Sequence, residues 1–317
     1  MPDTDNPPLD TRPGRQSAAR RRRYARSASA PPLTSLTPPK WEMLGYLAEL
    51  RFLSLPQLAR LCCPSGREDL SERAARRHLR ALFDAGMVDA LPVSRAALAP
   101  PEAGNGASLL YGSAPNVYAP TREGLRALVR SGRSGEDVLK APLPSYGPRN
   151  GLFLAHELLV RDVRVWLEGC ARAQGHSVER WEDGEAAAIP LGNGRVVRPD
   201  AWFAYRMGKV VLVGLVEADR GTERGDRRWG EKLDAYALLF SGEELREATG
   251  YVNARVLVVC PDERRRDGLA DLVEREAAPE LVGRFWLAER DVLNSVCLRS
   301  PVWRHACSAA LSPLIRH

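Results

Sequence analysis

The stretch Arg195–Asp219, RVVRPDAWFAYRMGKVVLVGLVEAD, constrains the fold more than any other. Two β-rich runs flank Arg206-Met207-Gly208-Lys209, a polar, Gly-containing turn. The second run, Val210–Val216, is almost wholly apolar, the pattern of a strand covered on both faces. It ends in Glu217-Ala218-Asp219. Residues two apart on a strand share a face, so Glu217 and Asp219 are expected to project together. With Asp200 on the neighbouring strand, three carboxylates can converge. Such groups repel one another and lose hydration unless a cation or a basic side chain joins them. The chain's chemistry is therefore expected here.

The 317 residues are long enough for two domains. A hydrophobic content of 44% and a charged content of 27% fit a soluble globular protein. The net charge of +6 permits a nucleic-acid partner without requiring one. Basic residues are nearly all arginine; the lysines are Lys40, Lys140, Lys209 and Lys232. The six cysteines form no CxxC pair, which argues against a zinc site of the usual spacing. Their mostly apolar surroundings suit buried thiols in a reducing cytoplasm. No apolar run has signal-peptide or membrane-spanning length, so a cytoplasmic protein with no membrane partner is expected.

Residues 1–36 are rich in Pro, Ser, Ala and Arg and read as a disordered basic arm around Arg20–Arg23. The arm is either a solvated tail or a phosphate-contacting extension. Residues 37–130 read as a first domain. Thr37-Pro38-Pro39 marks a helix start, and Ser54-Leu55-Pro56-Gln57 opens a second helix with capping-box spacing. Ser71-Glu72-Arg73 is expected to open a third, ended by Gly86. Its apolar side is Ala74, Ala75, Leu79, Leu82 and Phe83; Arg73, Arg76, Arg77 and Arg80 fall mainly on the other side. Met87–Val93 lies before a polar Gly-rich insert, with Leu109–Tyr111 and Asn116–Ala119 after it; these runs can pair as a hairpin. Thr121 begins another helix.

Three short helices, the third basic, then a hairpin and a helix give the order of a winged helix-turn-helix. The phrases LFDAGMVDAL and YAPTREGLRAL resemble the end of the recognition helix and the return from the wing in such domains. A helix of this kind fits the DNA major groove, where arginines reach phosphates and guanine edges. Such modules also dock proteins, and an arginine face can be merely solvated. Residues 131–150 are rich in Gly, Pro and Ser and read as a linker.

Residues 151–300 read as a second domain. A helix is expected over Leu152–Cys170, strands over Ser177–Trp181, Arg195–Tyr205 and Lys209–Val216, and a helix over Asp226–Phe240. Strand Ala254–Cys260, helix Arg265–Ala277 and strand Arg284–Leu287 follow. Residues 301–317 are expected to be a terminal helix or a loose tail. The fold class is thus mixed α/β and α+β, a winged helix-turn-helix followed by an α-β-β-β-α-β domain.

That order, with Pro199-Asp200 and Glu217, resembles the restriction-endonuclease-like fold and its PD-(D/E)xK signature. The resemblance implies Mg²⁺ bound by the two acids and a lysine that orients or activates water. Hard cations take oxygen ligands and neutralise phosphate charge. Here Asp219 stands in the lysine's place. Lys232 on the following helix can supply the basic group, with Tyr236 one turn on along the same face. Asp200, Glu217, Asp219 and Lys232 are the catalytic candidates, and the three acids are the metal candidates.

His156-Glu157 begins like HExxH, but Val160 stands at the second histidine's position and excludes a zincin. His156 is expected either to bond within the core or to assist at the acidic cluster; Glu157 is a further carboxylate candidate. Asp219-Arg220-Gly221 is either a phosphate or metal site or a turn held by Arg220 ion pairs. No GxxxxGK[ST] or GxSxG motif occurs.

The order from about Leu36 to Leu287 also resembles the plasmid replication-relaxation family of bacteria. AHELLVRDVRVWLE, RPDAWFAY and VEADRGTE with EKLDAY carry the likeness. It implies a DNA-associated role in replication of a plasmid or mobile element. Double-stranded plasmid DNA is then the expected partner, with replication proteins as further ones. It implies no nuclease activity by itself. An active Mg²⁺-dependent endonuclease and a non-catalytic regulator are the alternatives.

Overall fold

The nine residues of β8 (Val210–Ala218) form the middle strand of a seven-stranded sheet ordered β12-β11-β10-β9-β8-β7-β4. Leu212, Val216 and Ala218 face one helix layer, while Val213 and Leu215 face the other. This double coverage is why the run carries no polar residue before Glu217. Gly214 interrupts the branched residues because a Cβ there would run into the Phe203 ring. A computed structural model describes residues 25–27, 35–91, 93, 116–143, 151–192, 194–221, 226–293 and 297–315, without the side chains of 151, 152, 226 and 227.

The sheet is mixed. β4 (Ser177–Asp183), β7 (Ala201–Met207) and β8 form an antiparallel meander. Gly208, at φ 59°, adopts the left-handed conformation that the two-residue β7–β8 turn demands. β9 (Arg255–Cys260) and β10 (Phe285–Glu289) then add parallel to β8. Their crossovers run through α6 (Asp226–Ser241), with the short α7 (Glu244–Thr249), and through α8 (Glu263–Glu276). Two crossovers of one hand stepping in one direction leave their helices on one face. α6 and α8 pack there, and α5 (Gly151–Gln174) covers the other. Short elements complete this region: β5 (Ile189–Pro190) pairs with β6 (Val196–Val197), and α9 (Pro279–Val282) and α10 (Arg290–Leu293) flank β10.

Two expectations are corrected here. The strand expected over Arg195–Tyr205 is broken: β6 ends at Val197 and β7 starts at Ala201, with Asp200 just outside. Pro199 lacks the N–H that a continuous ladder needs. Residues 301–315 are neither helix nor tail. β11 (Pro301–His305) and β12 (Leu311–Pro313) extend the sheet antiparallel to β10, burying Trp303 against α5.

In the N-terminal part, α1 (Pro38–Leu50), α2 (Leu55–Cys62) and α3 (Glu68–Asp84) pack around a leucine core. Ser54 and Gln57 make the reciprocal capping box on α2. α3 starts three residues before Ser71, whose side chain bonds Ser65 instead. β2 (Val88–Leu91) pairs with β3 (Val117–Pro120), and the two-residue β1 (Leu53–Ser54) adds a third strand that the sequence did not signal. Thr121 caps α4 (Arg122–Arg130). A 3-10 turn, Glu136–Leu139, follows it. Leu109–Tyr111, most of the basic arm and residues 144–150 lie outside the described residues.

α5 joins the two parts. Arg161 is 1% exposed and donates to the Leu50 carbonyl. Gln57 donates to the Leu158 carbonyl and to Asp162, and Arg172 to the Leu61 carbonyl. Among the described residues, no helix is long and apolar enough to cross a membrane.

Candidate functional site

Sheet register sets the site. Glu217 alternates with Val213 and Leu215 and so points to the α6 face, where the side chain is 3% exposed. Lys232 and Tyr236, four apart on α6, meet it there. Lys232 Nζ donates to Oε2 at 2.7 Å and Tyr236 Oη to Oε1 at 2.7 Å. Burial pushes the Glu217 carboxyl above its ordinary range; Lys232 opposes that rise and Asp200 adds to it. Burial, then the Glu217 charge, raises the Tyr236 hydroxyl well above its usual value.

Asp200 replaces one rung of the β7–β8 ladder. Its N–H donates to the Val216 carbonyl, and its Oδ2 accepts from the Ala218 N–H at 2.7 Å. Its Oδ1 lies 3.0 Å from His156 Nε2 on α5. Of the two roles open to His156, the geometry gives the one at the acidic cluster. Burial pulls the imidazole pKa down, but the Asp200 hydrogen bond and charge outweigh it and leave the value raised. His156, Asp200, Glu217, Asp219, Arg220, Trp229 and Lys232 line one cavity of about 170 Å³. It opens at the carboxyl ends of the parallel strands, the usual ligand position in open α/β sheets.

Asp219 departs from the expected trio. It lines the cavity, yet Arg265 of α8 grips its carboxylate, with NH2 2.7 Å from Oδ2 and Nε 3.2 Å from the same oxygen. The Gly221 N–H donates to Oδ1 at 2.5 Å. The side chain is 3% exposed. Glu157 turns away into an ion pair with Arg161 at 3.1 Å. Arg220 stays on the cavity wall, where burial first and Arg290 second lower its pKa. Arg265 and Trp229 are the site residues that sequence reasoning missed. Trp229 had a signal, since it precedes Lys232 by three on one helix and its ring lies 5.1 Å from Nζ.

Among the described residues, no group of three His, Cys, Asp or Glu is arranged to hold a metal. Asp200 and Glu217 each accept two donors, and a carboxylate offers about four lone-pair sites, so both retain acceptor capacity.

Arg73, Arg76, Arg77 and Arg80 are all exposed on α3. Arg76 pairs with Glu72 and Arg80 with Asp84, while Arg73 and Arg77 make no ion pair among the described residues.

Comparison with known proteins fits this arrangement into a family. No curated protein matches the chain. Among solved structures, restriction endonuclease FokI is similar at a TM-score of 0.27 and 10% identity, over 82% of this chain and 44% of that one. The chain thus spans less than half of that nuclease, and the overlap is slight. The sequence pattern described as replication-relaxation matches residues 44–254, from within α1 to the residue before β9. That match covers well over half of the sequence, and the chain belongs to the replication-relaxation family.

Proposed function

We propose that this protein binds double-stranded DNA of a plasmid or mobile element and controls its replication, engaging backbone phosphate at the Asp200–Glu217–Lys232 cavity. The observation that carries the reading is that these three side chains line one cavity. In it, residues 37–130 act as a winged helix-turn-helix with α3 in the major groove, and residues 151–300 as a nuclease-like domain. Residues 1–36 add a basic arm, 131–150 a linker and 301–317 the sheet's edge. Arg73 and Arg77 contact DNA directly, and Arg76 and Arg80 do so by exchanging their carboxylate partners for phosphate.

Mg²⁺ fits the donors of Asp200 and Glu217, since it is commonly held by one or two carboxylates and several waters. Once bound, the ion would neutralise phosphate charge and lower the pKa of a bound water. The protein's own groups do the positioning. His156 and the Ala218 N–H fix Asp200, Tyr236 fixes Glu217, and Lys232 presents an ammonium to a phosphate oxygen. Asp219 has no place in the ion's shell, because Arg265 and Gly221 occupy its carboxylate.

That occupation also favours a second reading, a regulator that keeps the fold and binds DNA without cutting it. Supercoiled plasmid incubated with protein and Mg²⁺ or Mn²⁺ separates the two. Cleavage predicts nicked circles with wild type and at least 100-fold fewer with Asp200→Ala, about the order of effect expected when one catalytic group is removed. A retarded but intact plasmid supports the regulator. Absence of any mobility shift at low salt would sink the DNA reading altogether.

A further inference from the structure

The parallel strands β8, β9 and β10 end side by side. Arg220 follows β8 and lines the cavity. Arg290 follows β10 and begins α10, the one-turn helix that packs on α5. Its side chain is one third exposed, at 33%, and pairs with the outward-facing Asp291 at 2.8 Å. The two guanidiniums feel each other across the cavity rim, since Arg290's charge adds to burial in lowering the Arg220 pKa. Like charges held together in a half-buried place are costly, and an anion bridging them relieves the cost.

The positive strip continues along α5. Arg60 of α2 lies 3.5 Å from Asp162, which sits in the field of Arg60, Arg290 and Asp291. Asp162 also accepts from the Gln57 amide at 2.8 Å. From α2 to the cavity wall the seam therefore carries Arg60, Arg290 and Arg220 against Asp162 and Asp291.

We propose that Arg220 and Arg290 form a phosphate subsite on the cavity rim, which takes a DNA backbone phosphate next to the one held at Lys232, with Arg60 continuing the track toward the N-terminal helices. Guanidinium forks suit this role because they match phosphate oxygens bidentately. The inference rests on DNA being the cavity's ligand.

Fluorescence anisotropy of a labelled DNA duplex, measured with the full chain over a series of KCl concentrations, tests it. Each phosphate that the protein no longer neutralises reduces the slope of log affinity against log salt by about 0.9. Arg220→Gln/Arg290→Gln is expected to reduce that slope by about 2 units. Arg220→Lys/Arg290→Lys keeps both charges and is expected to retain most of the slope. A wild-type slope in the Gln variant, with a reduced slope in Arg73→Gln/Arg77→Gln, would overturn the subsite and leave the DNA reading standing. Equal loss in the Gln and Lys variants would assign the two arginines to the fold and overturn it as well. No DNA binding by wild type at low salt removes both readings.

Discussion

Lys232→Met is expected to destabilise the protein by about 3 kcal/mol at pH 7.5, the low end of the cost of stranding one partner of a buried ion pair. The low end applies because the Lys232 side chain is 34% exposed and its attraction is screened by water. Glu217 would keep only the Tyr236 hydrogen bond. Its carboxyl already sits above the ordinary range, and removing the ammonium that opposes burial moves it further up. A group whose folded pKa exceeds its unfolded value stabilises the fold fully below the unfolded value, about 4.3 for Glu. That contribution is lost as pH rises through the folded value. The variant's deficit is therefore largest at neutral and higher pH, and it shrinks as acid protonates Glu217. Urea unfolding at pH 7.5 and pH 5 with a chelator present measures this. A deficit under 1 kcal/mol, or one that does not change with pH, would show that Lys232 is not the counter-ion of Glu217.

Arg265→Met is expected to cost a similar amount, about 3 kcal/mol, by leaving the Asp219 carboxylate buried with only the Gly221 N–H. Arg265 ties the end of β8 to the start of α8, whose first turn is also capped through Asp262 Oδ1 and the Arg265 N–H. Asp219→Asn/Arg265→Met removes the stranded charge and keeps an acceptor for Gly221, so most of the loss should be recovered. Denaturant midpoints of the single and double variants decide it. Additive losses would contradict the pairing. This ion pair also gives a physical reason for an aspartate where the nuclease pattern has a lysine: the position fastens a helix to the sheet.

The parts of the site that the sequence made legible are those with local periodicity. The apolar run of β8 ending in Glu217 gave the strand and its acid, and the four-residue spacing of Lys232 and Tyr236 put both on one side of α6. Contacts between segments distant in sequence left no such mark. Arg265 lies 46 residues from Asp219, and an arginine-rich helix start has no feature that names its partner. His156 could be narrowed only to two roles, because the choice depended on how α5 crosses the sheet. β11 and β12 are short and pair only at the sheet edge, so their pattern does not distinguish them from a tail. β1 contributes just two residues to its ladder. Pro199 was legible as a residue, but its effect was not drawn: it breaks the strand and frees Asp200 to bond the Ala218 N–H.

The central claim is that Asp200 and Glu217 form one cation site beside Lys232. Mn²⁺ titration followed by electron paramagnetic resonance, on wild type, Asp200→Asn and Asp219→Asn, tests it most directly. One bound ion is expected in wild type, with its loss in Asp200→Asn and its retention in Asp219→Asn. No bound Mn²⁺ in the wild type, or binding that survives Asp200→Asn and disappears in Asp219→Asn, would contradict it.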